Sequence, residues 1–140
     1  MANLCNWHEW AAQLHCECAN QWFGECVSLV CPGAWTIDTG ADGEPLMAVI
    51  GGTRSFTESE SNVRICVFTQ DWIFQQCDLV RNGEIIDVLC GLEVHWVDPK
   101  GREQIWDVTT ENVEQQWRRW DRYEHCIRVH SKRCEIVEAV

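Results

Sequence analysis

The apolar residues of the chain follow two different spacings, and each spacing predicts a different secondary structure. Near the N-terminus they recur every three or four positions, as on one face of an α-helix. Asn6 and Glu9 have the spacing of a capping box, and Gly24 is suited to end a helix. The pattern therefore predicts an amphipathic α-helix over residues 6–23.

The rest of the chain has the pattern of antiparallel β-strands. Short runs rich in Val, Ile, Trp and Thr are separated by turn segments such as "DTGADGEP", "RNGE" and "DPKGRE". The runs "EVHWV" and "QIWDV" flank Pro99 and Gly101, which predicts a hairpin. We expect a single domain over residues 1–140 that is mainly β, in which residues 27–134 form a small antiparallel β-barrel or sandwich.

One polar segment interrupts this pattern. The run "TRSFTESESN" is acidic and serine-rich and has little apolar content to pack against a core. It predicts a mobile loop near residues 53–62, which assembly could order.

The chain has no pattern of a membrane or secreted protein. Its apolar runs are shorter than the roughly 18 residues that a membrane-spanning helix needs. The N-terminus lacks the basic-then-apolar order of a secretory signal. We expect a soluble protein that is made in the cytoplasm and has no membrane partner.

Charge is distributed unevenly along the chain. There are 11 basic and 22 acidic residues, a net charge of −11. Residues 115–134 hold six of the basic residues and two of the acidic ones, which is +4 locally and leaves −15 for the other 120 residues. An acidic body opposes binding to DNA phosphates, so the charge argues against a protein that grips DNA by its backbone.

The ten cysteines raise the question of a metal site. The C-x-x-C spacing of zinc knuckles is absent. The densest cluster joins His15 to the candidate zinc ligands Cys16, Cys18, Cys26 and Cys31. The alternative is that cysteine serves as a small buried apolar residue in a reducing compartment.

The sequence contains no motif that supports catalysis. H-E-x-x-H and G-x-S-x-G are absent, and "GADGEP" and "IGGTR" lack the strand-to-helix context and the lysine of a phosphate-binding loop. We therefore expect no enzyme activity and no cofactor.

The nine tryptophans fall into two groups. Trp10, Trp72, Trp96 and Trp106 lie in periodic apolar runs and are expected in the core. Others lie in the run "QQWRRWDRYEHCIRVHSKRC", residues 115–134, where tryptophan accompanies arginine, a combination enriched in protein interfaces.

The end of that run alternates apolar and charged residues, which predicts a closing strand over residues 126–134. Ile127 and Val129 would then face inward. The aromatic and basic side chains of the run are the candidate interface residues: Trp117, Arg118, Trp120, Tyr123, Arg128, His130 and Lys132.

Five segments in order carry a resemblance to a known family: "GGTRSF", "QDWIF", "CDLVRNGEIID", "GREQIWDV" and "WRRWDRYEHCIRVHSKRC". They are similar to the head-tail joining, or head-completion, proteins of tailed bacteriophages. The match runs from about residue 27 to residue 134, and its last segment is the most extensive. The matching positions are Asp71, Trp72, Ile73, Leu79, Gly83, Gly101, Trp106, Asp107, Val108, Trp117, Arg118, Trp120, Asp121, Tyr123, Ile127, Arg128, Val129, His130, Ser131 and Lys132.

The resemblance implies a structural virion protein of the phage neck that joins head to tail as a hexameric ring and helps to retain packaged DNA. Its implied partners are copies of itself, portal or adaptor proteins, tail proteins, and DNA that passes through the lumen without sequence-specific binding. A tail-terminator or other tail-proximal protein is the alternative. An acidic lumen would let DNA slide, and the basic run could dock on the acidic body of the next copy.

Two other classes stay open from the residues alone. One is a zinc-binding module, and the other is a single-strand nucleic-acid-binding β-barrel, which would also combine stacking aromatics with basic residues. For the neck protein, we expect that changing both Trp117 and Arg128 to alanine leaves the monomer folded and abolishes assembly.

Overall fold

The computed structural model describes residues 22–60, 62–86, 91–109, 117–119 and 125–139, together with positions 10, 11 and 14. Within these residues the chain is almost entirely β-structure. The strands are β1 (Gly24–Cys31), β2 (Trp35–Ile37), β3 (Met47–Glu60), β4 (Val63–Gln75), β5 (Val80–Arg81), β6 (Glu84–Ile85), β7 (Glu93–Val97), β8 (Glu103–Val108), β9 (Trp117–Arg119) and β10 (Cys126–Ala139).

Six strands close into an antiparallel barrel, so the predicted fold class is confirmed as a barrel. The order around it is β1, β3, β4, β10, β8 and β7, and β7 pairs with β1 to complete the circle. Strand β2 pairs with β1, β9 pairs with β10, and β5 with β6 forms a separate hairpin. The β4–β10 seam and the β7–β1 seam therefore lie on opposite sides of the barrel.

The core fills the barrel with the inward side chains of alternate strand positions. Trp72 and Trp106 are buried as expected, and their rings meet edge to face with centroids 6.2 Å apart. Trp10, which precedes the first barrel strand, is exposed instead. The other core residues are Val27, Leu29, Ile37, Leu46, Ala48, Phe74, Leu79, Leu92, Val94, Val108, Ile127 and Val129.

The predicted helix over residues 6–23 lies mostly outside the described residues. Positions 10, 11, 14, 22 and 23 have helical backbone, and β1 begins at Gly24, where the helix is expected to end. The helix as a whole stays a prediction. No helix in the described part of the chain is both long enough and apolar enough to cross a bilayer.

The loop expected near residues 53–62 is not a loop. Strand β3 runs through this segment to Glu60 and pairs with β4 down to Val63. Polar residues form a strand here because each residue from Thr53 to Glu60 has a partner on β4, and strand stability depends more on cross-strand partners than on mean hydropathy.

Three strands continue past the barrel as a three-stranded sheet, which we call the arm. It consists of residues 53–60 of β3, 63–69 of β4 and 133–139 of β10. The strand pairs that close the barrel, β1–β3 and β8–β10, end before these residues. At about 3.3 Å per residue the arm is roughly 20 Å long.

The β7–β8 hairpin forms where the sequence predicts it. Asp98 and Gly101 close the turn through a backbone hydrogen bond of 2.9 Å, and Gly101 has a φ of +80° that favours glycine. The Asp98 carboxylate accepts hydrogen bonds from the backbone N–H groups of Arg102 and Lys100 and from the side chains of Arg102 and Gln104. These donors, with the Arg102 N–H first, hold the pKa of Asp98 below its ordinary value of 3.8.

Candidate functional site

Strand β10 places three of the predicted interface residues in one row. Ile127 and Val129 are buried in the barrel, as the alternation predicts. Arg128, His130 and Lys132 consequently lie on the opposite, outward surface, successive members about 6.6 Å apart. We call this row the basic face.

A buried carboxylate holds the first two members of the basic face. Asp71, on β4, is 8% exposed and pairs with His130 across the ladder. Arg128 Nε donates to Asp71 Oδ2 at 2.5 Å, and His130 Nδ1 lies 2.6 Å from Asp71 Oδ1. The carboxylate thus fixes the orientation of both side chains and compensates one positive charge.

A bulge in β3 makes room for the Arg128 guanidinium. The ladder with β4 slips between Gly51 and Thr53, and Gly52 has a φ of +49°. A Cβ added at Gly52 would lie 2.9 Å from the guanidinium Nη2 of Arg128. The glycine pair of the "IGGTR" run therefore forms a bulge inside a strand.

Asp71 and Gly52 have site roles that the sequence analysis did not assign. Two signals could have pointed to them: an Asp inside the apolar run "DWIF", which demands a partner when buried, and a Gly pair inside a strand pattern. Neither signal identifies Arg128 as the partner, because Asp71 and Arg128 are 57 positions apart.

Lys132, the third member of the basic face, is exposed and does not contact Asp71, unlike Arg128 and His130. It lies beside Asp107 of β8 in the ladder, yet no ion pair joins the two residues. In the described part of the chain no acidic side chain pairs with Lys132 within 4.0 Å, so its amino group is available to a partner.

The outward surface becomes apolar where β10 enters the arm. Cys134 and Ile136 follow Lys132 at alternate positions, and Ile136 is 76% exposed. In the same rows of the arm, Val67 pairs with Cys134 and with Phe56, which is 47% exposed. We call this surface the arm patch; its exposed or partly exposed members are Phe56, Ile65, Cys134 and Ile136, and Val67 is buried among them.

The aromatic part of the predicted interface is only partly described. Trp117 and Arg118 lie on β9, whose backbone pairs with β10 opposite Val129 and Arg128. Trp120 and Tyr123 lie outside the described residues. The structure therefore brings the backbone at positions 117 and 118 next to the basic face, and their interface role stays a prediction.

Ser131 and Arg133, from the same run, contact residues on the inner side of the sheet. Ser131 Oγ accepts a hydrogen bond from Trp72 Nε1 at 2.9 Å and donates to the backbone oxygen of Gln70 at 2.7 Å. The Arg133 guanidinium lies over the Phe68 ring, 4.7 Å from its centroid, and over the Trp106 ring at 5.2 Å. These residues pack the arm against the core.

The described cysteines do not form a metal site. Cys26 and Cys31 lie five residues apart on β1, on opposite faces and about 16 Å from each other, so they cannot both bind one ion. Cys16 and Cys18 lie outside the described residues, and the described ones contain no group of three or more metal-ligating side chains.

The expectation of buried, apolar cysteines is wrong for several positions. Cys26, Cys77 and Cys134 are exposed, because they occupy outward or turn positions. Cys126 is buried and disulfide-bonded.

Family comparison decides the class of the protein. The family model described as "Phage head-tail joining protein" matches residues 8–138. The chain belongs to the phage head-tail joining family. The match extends beyond the segment that carries the sequence resemblance and includes the basic face, the arm and the whole barrel. No curated protein and no solved structure matches this head-tail joining protein.

Proposed function

We propose that this head-tail joining protein assembles as a ring, with the hexamer as the expected copy number, and helps to retain packaged DNA in the neck of the virion. The family match carries the proposal, since it covers residues 8–138. The role is structural, and no bond is made or broken.

The basic face supports a docking role for this part of the chain. Arg128 and His130 are held in place by Asp71, so docking does not require them to lose much side-chain freedom. Lys132 and the exposed arm patch add a charge and an apolar surface that the monomer leaves open. Exposed apolar surface rimmed by charge is typical of protein interfaces.

The charge of the barrel fits passage of DNA. Outside residues 115–134 the chain carries −15, so a lumen lined by this body would repel phosphates and let DNA slide. Retention would then depend on the closed shape of the ring and on neighbouring neck proteins, without sequence-specific contacts to bases.

A complementation experiment tests the role. Phage with a nonsense codon in this reading frame would be grown with and without the chain supplied from a plasmid, and particles examined by electron microscopy and for nuclease-sensitive DNA. We expect heads without tails, with leaking DNA, when the chain is absent. Tailed, infectious particles made without it would contradict the proposal.

The alternative position is nearer the tail, where the protein would act as a tail terminator. Cross-linking of purified particles followed by mass spectrometry distinguishes the two positions. Cross-links to portal or adaptor proteins support the head-proximal position, whereas cross-links only to tail-tube proteins support the other.

Two remaining alternatives have direct tests. A zinc-binding module requires stoichiometric metal in the purified protein and loss of structure with a chelator. A single-strand nucleic-acid-binding module requires oligonucleotide binding that weakens steeply with salt. We expect neither result: elemental analysis should show no bound zinc, and EDTA should leave the circular dichroism spectrum unchanged.

A further inference from the structure

The outward surface of the β7–β8 hairpin carries the reverse charge to the basic face. The outward residues of β7 are Glu93, His95 and Val97, and those of β8 include Glu103 and Ile105. Both apolar residues are exposed, Val97 at 59% and Ile105 at 44%. We call this surface the acidic face.

Two carboxylates of the acidic face surround a histidine. Glu93 Oε1 lies 2.9 Å from His95 Nε2, and Glu103 Oε1 lies 3.7 Å from His95 Nδ1. A cavity of about 360 Å³ opens beside them and is also lined by Asp38 and Cys26. The cavity therefore offers negative charge and enough volume for the end of a lysine side chain.

We propose that the acidic face of one copy receives the basic face of the next copy, with Lys132 entering the cavity beside Glu103. This inference rests on the proposed ring and names the two surfaces that would form it. The occupant is a second copy because its basic face supplies the complementary charge. The Lys132 amino group that carries this charge forms no ion pair with any acidic side chain that the structure describes.

The two faces are different surfaces of one copy. The basic face lies on β10, and the acidic face lies on the β7–β8 hairpin, whose strand β8 pairs with β10. Contact between two different surfaces of identical copies is heterologous, and such contacts close into rings when the rotation permits. A two-fold dimer would instead need one self-complementary surface.

A charge exchange tests the inference in the full-length protein. Lys132→Glu is expected to weaken self-association by about tenfold or more, because it places like charges together. Adding Glu103→Lys to the same chain is expected to restore association to within about threefold of wild type. Association would be measured by analytical ultracentrifugation over a concentration series at low and moderate salt.

The matched control is Glu84→Lys, which changes net charge equally but lies on the exposed β5–β6 hairpin, away from both faces. Combined with Lys132→Glu, it is expected to give no rescue. Equal rescue by both second substitutions would show a general charge effect and overturn the inference, as would normal association of Lys132→Glu.

The outcomes separate this inference from the proposed function. If the wild-type chain enters particles but Lys132→Glu enters them equally well, the docking inference fails and the neck role stands. A wild-type chain that stays monomeric at every concentration also overturns self-docking. If infectious tailed particles form without the chain, the proposed function itself fails.

Discussion

Arg128, which is partly exposed on β10, has two roles, and a substitution at this position affects both. It contributes to the basic face, and its guanidinium also compensates the buried Asp71 carboxylate. Arg128→Ala would leave that carboxylate with His130 alone, so we expect a loss of about 1–2 kcal/mol of folding stability after discounting for the partial exposure of Arg128. Arg128 is therefore a poor choice for a variant meant to affect assembly only.

Gly52 gives a sharper test of the same cluster. Gly52→Ala places a Cβ against the Arg128 guanidinium in a backbone conformation that favours glycine, and we expect a loss of about 1–3 kcal/mol in urea unfolding. Gly43→Ala is the control, because Gly43 also has a positive φ but its Cβ would meet nothing within 4 Å. Equal losses for both variants would show that contact with Arg128 contributes nothing.

The elements differ in how far the sequence predicts them. The β7–β8 hairpin and the alternation of β10 follow from local patterns, namely a Pro-Lys-Gly turn and apolar residues at every second position. The arm does not, because residues 53–60 are polar and gain their strand structure only from pairing with β4. The barrel closes where β1 pairs with β7, two strands that are distant in sequence, and no local pattern predicts such a pairing.

The β7–β8 turn makes folding stability depend on pH. Because the pKa of folded Asp98 lies below 3.8, the ionised carboxylate stabilises the fold above pH 3.8, and this contribution is lost as pH falls through the lower, folded value. Asp98→Asn should therefore unfold at a lower temperature than wild type at neutral pH, with the difference shrinking in strong acid.

Thermal unfolding of both proteins between pH 7 and pH 2 measures this effect. Asp107→Asn is the control, since Asp107 is exposed and its carboxylate has no hydrogen bond or ion pair with the residues that the structure describes. A difference between wild type and Asp98→Asn that stays constant over the whole range would contradict the assignment.

At the scale of the whole molecule, the proposed assembly uses surfaces that a stable monomer does not need. The barrel buries its own core, whereas the basic face, the acidic face and the arm patch are all left open to solvent or only partly covered. Their sequence signals are the arginine and tryptophan residues at 115–134 and the acidic remainder. Where the acidic residues lie on the barrel relative to the basic ones follows only from the strand order.

Trp117→Ala combined with Lys132→Ala tests assembly without disturbing Asp71. We expect the double variant to keep the wild-type circular dichroism spectrum and melting behaviour but to be missing from purified particles, because it removes a predicted interface aromatic and the exposed Lys132 amino group. Lys100→Ala is the control, since Lys100 is equally exposed but lies in the β7–β8 turn. Normal incorporation of the double variant would contradict the interface prediction.

The arm has a mechanical consequence. Strands β4 and β10 pass from the arm into the barrel wall without a break at the junction, and inside the barrel they carry Trp72 and Val129. The hydrogen bonds between the three strands make the arm resist bending. We expect a pull on its tip by an attached tail protein to tilt the wall strands, so that tail docking can be sensed in the interior of the barrel.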